Sequence, residues 1–276
     1  MNELQKVRTM TNTPPQVSIV IPTFNRAHFV GQAIDSALSQ SVACEVIVCD
    51  HGSTDGTPEV VRGYGDRVTY VRRERDFGPH FCWLEGVLHA SGTFVHLQFD
   101  DDWLESTFIE ACMEVMTEET GFAFSAVALY DEDEGRVTRN FFDNVFPASG
   151  VYPNRTLEKL LLRKLISPGA MIYRRQDALD ALYQGNLPLA RSTYHGVGPD
   201  CFISLLCLLR YPRCGYVRDP LAVFRGHGES ITMDASADPE RARRLAAAYE
   251  EVREYYRQLK RIKRSGSWMR ALGLKR

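Results

Sequence analysis

The 276-residue chain lacks any run of 18 apolar residues, and its longest apolar stretch, Cys201 to Leu209, is too short to cross a bilayer. Its first residues, MNELQKVRTMTNTPPQ, lack the apolar core of a secretory signal. The seven cysteines are odd in number and have no paired spacing, which excludes a disulfide scaffold and predicts reduced, buried thiols in a cytoplasmic protein. Neither G-x-G-x-x-G nor G-x-x-x-x-G-K-[ST] occurs, so a dinucleotide-binding fold and a P-loop NTPase are disfavoured. No internal repeat or low-complexity segment is present. What remains is ordinary for a globular protein: 44% apolar, 25% charged, net charge −2. The length allows one large domain or two small ones.

Charge is unevenly spread. Residues 253–276 carry nine basic side chains and one acidic, a net +8 that leaves −10 for residues 1–252. An acidic body argues against nucleic acid as the main partner.

After a polar lead-in over 1–15, Val17 to Ile21 is a β-branched run that predicts a buried strand ended by Pro22. Asn25 suits the cap of a helix with Phe29, Ile34, Ala37 and Leu38 on one face. Strands are predicted at 45–49, 68–71 and 93–99, with helices from Thr57-Pro58-Glu59, over 79–90 and over 104–118. Such alternation predicts a mostly parallel sheet with right-handed crossovers, an α/β fold whose ligands bind at the carboxyl ends of the strands. The second half reads less regularly: strands at 122–130, 136–142 and 169–173, and helices at 157–164 and 201–210. Asp238-Pro239-Glu240 starts a helix on which Leu245, Tyr249, Val252, Tyr256 and Leu259 form an apolar stripe.

The polar residues at the strand ends are the candidates for chemistry. Asp100, Asp101 and Asp102 repel one another, and a hard divalent cation, Mg²⁺ or Mn²⁺, would give them a reason to be adjacent. On an extended backbone Asp100 and Asp102 face the same way. Because Mg²⁺ takes few protein carboxylates, the triplet favours a nucleotide-diphosphate site over an all-protein cage. The same triplet also reads as an acidic turn at a helix start. Asp50 can accept hydrogen bonds from a base or ribose, or satisfy the backbone of its own turn.

Three segments in order carry a resemblance: Val17-Ser-Ile-Val-Ile-Pro-Thr-Phe-Asn-Arg26, Val46-Ile-Val-Cys-Asp-His-Gly-Ser-Thr-Asp-Gly-Thr57 and Phe99-Asp-Asp-Asp-Trp103. Together with Asp76-Phe-Gly78 and Ala90-Ser-Gly92, they resemble the inverting glycosyltransferases of family 2, with the GT-A fold. The usual D-D-G-S stands here as Asp50-His51-Gly52-Ser53, keeping only the first carboxylate. The resemblance implies a nucleotide-diphosphate-sugar donor, UDP first, with Pro22, Thr23 and Asn25 lining the nucleotide pocket and Asp50 on the base. It implies Asp102 as metal ligand, Asp100 or Asp101 on the ribose or reaching the metal through water, and Arg73, or its neighbour Arg72, near the nucleotide. Inversion needs a base on the acceptor side. Gly198-Pro-Asp-Cys-Phe-Ile203 resembles the family segment that supplies it, so Asp200 is that base or, alternatively, a helix cap. Phe224-Arg-Gly-His-Gly-Glu-Ser230 resembles a further segment, which implies Arg225 on the diphosphate and His227 as a metal or phosphate ligand. His195 is a weaker loop candidate, Trp83 reads as core, and Trp103 flanks the acceptor sugar or packs a helix.

The expected organisation is a GT-A-like domain over 16–235, its nucleotide half 16–120 and acceptor half 121–235, followed by an amphipathic helix and basic tail over 236–276. The acceptor is a hydroxyl on a glycan, a lipid-linked glycan or a small molecule. The helical stripe packs on the domain or on a second copy as a homodimer. The tail, with Trp268, Met269, Leu272 and Leu274 among basic residues, is a solvated terminus or a peripheral contact with the inner face of the membrane. Two rivals stand beside this reading. A sugar nucleotidyltransferase would carry a glycine-rich loop after the first strand, which Pro22 to Arg26 lacks. An inactive sugar-nucleotide or glycan-binding module would not need both the acidic triplet and Asp200.

Overall fold

A computed structural model describes residues 16–182, 198–226 and 239–265; the lead-in, His195 and the tail with Trp268 lie outside them. In the first half, strands β1 (Val17–Thr23), β2 (Cys44–His51), β3 (Thr69–Arg73) and β4 (Phe94–Leu97) alternate with helices α1 (Val30–Leu38), α2 (Thr57–Arg62) and α3 (Pro79–His89). A short β5 (Trp103–Leu104) and α4 (Phe108–Glu114) follow. Then come β6 (Thr120–Asp131), β7 (Arg136–Phe141), β8 (Gly150–Pro153), α5 (Asn154–Leu161), β9 (Met171–Arg174) and α6 (Arg175–Leu182). The last elements are α7 (Pro199–Arg210), β10 (Arg213–Gly226) and α8 (Pro239–Ser265).

The described strands form one sheet in the order β3-β2-β1-β4-β9-β6-β10-β5, with β7 added to β6 and β8 to β10. β3, β2, β1 and β4 are mutually parallel, while β9 runs antiparallel between β4 and β6. The result is the expected α/β architecture, a largely parallel mixed sheet with flanking helices and a C-terminal helix. Every residue of β1 and β4 is buried, as suits strands covered on both faces. The chain steps from β1 outward to β2 and β3, then crosses back to place β4 on the other side of β1. This reversal opens a crevice at the carboxyl ends of β1 and β4, where doubly wound sheets bind ligands.

β1 runs through Pro22 to Thr23 instead of ending at the proline. The carbonyl of Val20 accepts from the N–H of Gln98 at 2.9 Å, so Val20, and Pro22 two residues on, turn their backbone groups toward β4. Register with β4 ends at Val20 and Leu97, so the missing N–H of Pro22 costs no ladder bond. The helix expected over 104–118 is shorter, because Trp103 and Leu104 pair with Val223 and Ala222 of β10. β10 itself was not evident from the sequence. Its register shifts around Arg218-Asp219-Pro220, which breaks the alternation that would announce a strand. The stripe on α8 docks on this same chain: Val252 and Tyr256 are buried, and the Tyr256 hydroxyl donates to Oε1 of Glu158 on α5 at 3.0 Å. Among the described residues no helix is long and apolar enough to cross a membrane.

The packing of α3 on the sheet is close at Gly86, where an added Cβ would stand 2.2 Å from Cγ1 of Val20 and 3.1 Å from Sγ of Cys49. Gly86→Ala is therefore expected to cost about 1–3 kcal/mol by overpacking. Urea unfolding checks this, and an unchanged midpoint would show that α3 can slide off the sheet without cost.

Candidate functional site

Three loops meet at the carboxyl ends of β1, β2 and β4. The first two are locked together by their own polar residues. Asn25 donates its backbone N–H to Oγ of Ser53 at 2.9 Å, and its Oδ1 accepts from the N–H of Thr54 at 2.8 Å. The N–H of Arg26 reaches Oγ1 of Thr57 at 2.8 Å, and that of Ala27 reaches Oδ2 of Asp55 at 3.1 Å. Asn25 thus joins two loops and does not cap α1, which starts at Val30 with no side-chain cap. Its φ of 54° is a left-handed conformation that Asn tolerates better than most residues. Gly52, at φ 85°, lets the second loop pass the carbonyl of Glu74, from which a Cβ would be only 3.0 Å away.

Asp50 is fully buried at the end of β2. Its Oδ1 accepts from the N–H of Ser53 at 2.8 Å, and its Oδ2 accepts from the hydroxyl of Tyr70 at 2.7 Å. Arg72 Nε lies 3.3 Å from the same Oδ2, and Arg72 also donates to the Ser53 carbonyl at 3.0 Å. Tyr70 and Arg72 are two apart on β3 and so share a side of the strand, while Arg73 points the other way. Arg73 is bound to Glu85 of α3 through both carboxylate oxygens, at 2.6 and 2.7 Å, beneath the rings of Phe77 and Phe81. The same Glu85 bonds Nε2 of buried His51 at 3.0 Å, and among the described residues Nδ1 of His51 has no hydrogen-bond partner. Burial alone would raise the Glu85 carboxyl, but Arg73 and His51 together hold it below its ordinary value.

The acidic triplet is a turn, not the extended run expected from its position after a strand: the N–H of Asp102 bonds back to the carbonyl of Phe99 at 3.4 Å. The i, i+2 argument for Asp100 and Asp102 facing one way therefore does not apply. β10 holds this turn from the far end of the chain. The backbone N–H of Arg225 donates to Oδ1 of Asp102 at 2.9 Å, and its Nε donates to the carbonyl of Asp101 at 3.0 Å. The guanidinium lies between the rings of Phe29 and Trp103, 5.1 Å from each centroid, and donates to Glu132 at 3.1 Å and to Gln32. Trp103 packs edge-on against Tyr130, with ring centroids 5.3 Å apart. Burial and the neighbouring Asp101 push the Asp100 carboxyl up to about 7, against the pull of Thr23 and Arg26, whose Nε is 3.8 Å away. Burial and Asp101 raise Asp102 also. The buried hydroxyl of Thr23 lies beside Asp100 and lowers its carboxyl, but among the described residues it meets no partner at full hydrogen-bond geometry.

Hard carboxylate oxygens that resist ionising beside one another fit a divalent cation. Among the described residues no group of three or more His, Cys, Asp or Glu side chains is placed to hold a metal. A cation at this turn would complete its shell from phosphate and water, as Mg²⁺ commonly does.

Asp200, 7% exposed, sits in the first turn of α7. Its Oδ1 accepts from the N–H groups of Gly198 at 2.9 Å and Cys201 at 2.8 Å, and its Oδ2 accepts from the Tyr249 hydroxyl of α8 at 3.0 Å. Burial raises its carboxyl, and these three donors oppose the rise. His227 lies outside the described residues. Sequence reasoning missed Ser53, Asp55, Tyr70, Glu85 and Tyr249. For Tyr70 the signal was available, since its i, i+2 spacing to Arg72 marks them as neighbours on one side of β3.

Residues 18–181 match the family model described as Glycosyl transferase family 2. Over 241 residues the chain is 24% identical to an uncharacterised protein of Mycobacterium bovis, a match that takes in 80% of this chain and 68% of that one. Residues 1–349 of S. aureus TarS, solved with UDP-GlcNAc, share the fold at a TM-score of 0.62 and 17% identity, over 85% of this chain and 71% of that one. The mannosyltransferase PcManGT of Pyrobaculum calidifontis, solved with GDP-Man and Mn²⁺, does so at 0.55 and 18%, over 86% and 70%.

The Glu85 cluster generates a pH-dependent expectation. A carboxyl held low in the folded protein adds stability above its unfolded value of about 4.3, and loses it as pH falls through the lower folded value. Glu85→Gln should therefore be less stable than the parent by about 1–3 kcal/mol at pH 7, with the gap closing in acid below pH ~4. Urea unfolding across pH measures this, and a gap independent of pH would separate Glu85 from the ionic role.

Proposed function

Because the chain belongs to glycosyl transferase family 2, and is thereby a glycosyltransferase, we propose that it moves a sugar from a nucleotide-diphosphate sugar to a hydroxyl acceptor with inversion. The observation that carries this reading is the meeting of the Thr23, Asp50 and Asp100–Asp102 loops at the carboxyl ends of adjacent parallel strands. In this reading Pro22, Thr23 and Asn25 line the nucleotide pocket, and the Thr23 hydroxyl, beside Asp100 but short of full hydrogen-bond geometry to it, is open to a ligand. Asp50, fixed by Ser53, Tyr70 and Arg72, keeps one lone-pair direction of Oδ1 for the base. Arg72, already beside Asp50, is better placed toward the nucleotide than Arg73, which Glu85 holds. UDP is the first nucleotide to test, as TarS was solved with UDP-GlcNAc, ahead of the GDP of PcManGT.

Asp102, with Asp100 or Asp101, would hold a divalent cation, which supplies charge to stabilise the departing diphosphate. Arg225 supports that turn from behind, and a direct contact with diphosphate requires it to leave Glu132 or Gln32. On the acceptor side, Asp200 takes the proton of the attacking hydroxyl. Its Oδ1 is occupied by two N–H groups, so Oδ2 is the oxygen that receives it. The hydroxyl oxygen bonds to the anomeric carbon as the bond to the diphosphate breaks on the opposite face, which inverts the centre. Trp103, at the end of the acidic turn, offers a ring face to the acceptor sugar. The nucleotide half is 16–120 and the acceptor half 121–235.

The test is a thermal-shift screen with UDP, GDP and dTDP, with and without Mn²⁺, since a ligand that binds only the native state raises its stability by mass action. UDP with Mn²⁺ should raise the midpoint, and Asp102→Asn, which keeps an oxygen for the Arg225 N–H, should remove the Mn²⁺-dependent part. No shift with any nucleotide would defeat the proposal and favour a binding module for another ligand.

A further inference from the structure

We infer that Tyr249, on the C-terminal helix α8, is the positioning residue of Asp200, so that docking of α8 belongs to the catalytic apparatus; this rests on Asp200 being the general base. A carboxylate that only caps α7 needs one oxygen on the helix N–H groups, and Oδ1 fills that role, bonded to Gly198 and Cys201. The second oxygen is held separately, by a hydroxyl 49 residues further along the chain at 3.0 Å. Three donors around one carboxylate fix its rotation and leave one lone-pair direction of Oδ2 for an incoming proton.

The helix that brings Tyr249 is itself pinned. Val252 and Tyr256, three and seven residues on, are buried in the core. Tyr256 and Lys260 both donate to Glu158 on α5. Gly198, two residues before Asp200, has φ 121°, and a Cβ there would stand 2.8 Å from Cγ2 of Val252. The loop of Asp200 thus lies close against α8 at Val252, one turn from Tyr249.

The groups facing Asp200 are Tyr249 on α8, Cys201 on α7 and Tyr173 on β9, with Arg253 on α8 acting on Cys201 and Tyr249. Burial raises the Tyr249 phenol, and Asp200 raises it further, so it keeps its proton and acts only as a donor. Burial likewise holds the protons on Tyr173 and Cys201. Tyr249 is therefore the side chain that donates to the ionised form of Asp200 against its burial.

The test is Tyr249→Phe in the full chain, which removes one oxygen and keeps the ring. A ¹³C-carboxyl NMR titration, with the Asp200 signal assigned by its loss in Asp200→Asn, should show Asp200 titrating about one pH unit higher in the Phe variant. UDP release from UDP-GlcNAc with Mn²⁺ and water as acceptor should follow: the acid limb of kcat/KM moves up by the same amount, about tenfold below the limb, with KM unchanged. An Asp200 titration that superposes in the two proteins overturns the inference, leaving Tyr249 as packing. UDP release that survives Asp200→Asn overturns the base assignment itself, and is read independently of the titration.

Discussion

Three consecutive carboxylates at the end of a central strand are electrostatically unfavourable, and the site depends on how the fold keeps them there. The restraint comes from Arg225, which uses its backbone N–H on Asp102 and its Nε on the Asp101 carbonyl. The cation does not simply neutralise the turn by direct pairing. The guanidinium bonds the turn's backbone, and it is the neutral backbone N–H of Arg225 that bonds the Asp102 carboxylate, while the guanidinium plane is held between Phe29 of the first crossover and Trp103 of β5. The consequence is geometric. The end of β10 is tied to the end of β4, although β9 and β6 stand between them in the sheet. The antiparallel pairing of Trp103 and Leu104 with β10 completes the same tie. Burial first, and the repulsion of Asp101 second, raise the carboxyls of Asp100 and Asp102, so the turn retains a demand for positive charge.

The nucleotide side works by a different economy of polar groups. Most of the hydroxyls and carboxylates in the segment from Asp50 to Thr57 are turned inward onto the first loop: Ser53, Asp55 and Thr57 each bind a backbone N–H of residues 25–27. This arrangement satisfies the backbone N–H groups of an irregular loop. It also leaves few free groups to recognise a ligand, and Thr23 and Asp50 become the side chains at that edge with unused capacity. A motif rich in polar residues is thus mostly scaffold, with recognition carried by the minority that the scaffold does not occupy.

The first half was legible because its signals are local. Runs such as the β-branched Val17 to Ile21 and Phe94 to Leu97 are buried on both faces, and the polar residues that end them mark the crevice without any long-range information. The errors there came from register: Pro22 continues its strand because β4 stops short of it, and Trp103-Leu104 is a strand because β10 lies alongside. Neither partner can be seen from the local sequence. The second half was less legible for the same reason on a larger scale. β10 is irregular around Pro220 and is stabilised by neighbours distant in sequence. The Arg225 clamp and the Tyr249 contact join residues 123 and 49 positions apart. The apolar stripe of α8 was visible, but that its tyrosine meets Asp200 depends on tertiary packing.

The departure of this chain from the D-D-G-S pattern has a local physical account. His51 follows Asp50 on β2 and therefore points to the other side of the strand. On that side stands Glu85 of α3, which His51 contacts at 3.0 Å and Arg73 grips with two hydrogen bonds. An aspartate at position 51 would set a second buried carboxylate against Glu85, with Arg73 already engaged, and the pair would repel in a poorly solvated space. An imidazole at that place can instead donate to Glu85. Histidine at 51, glutamate at 85 and arginine at 73 thus form one compatible set, and exchanging one of them changes what the other two require. The second position of the motif is in this chain a contact between sheet and helix, while Asp50 faces Tyr70 and Arg72 on the opposite side of the strand.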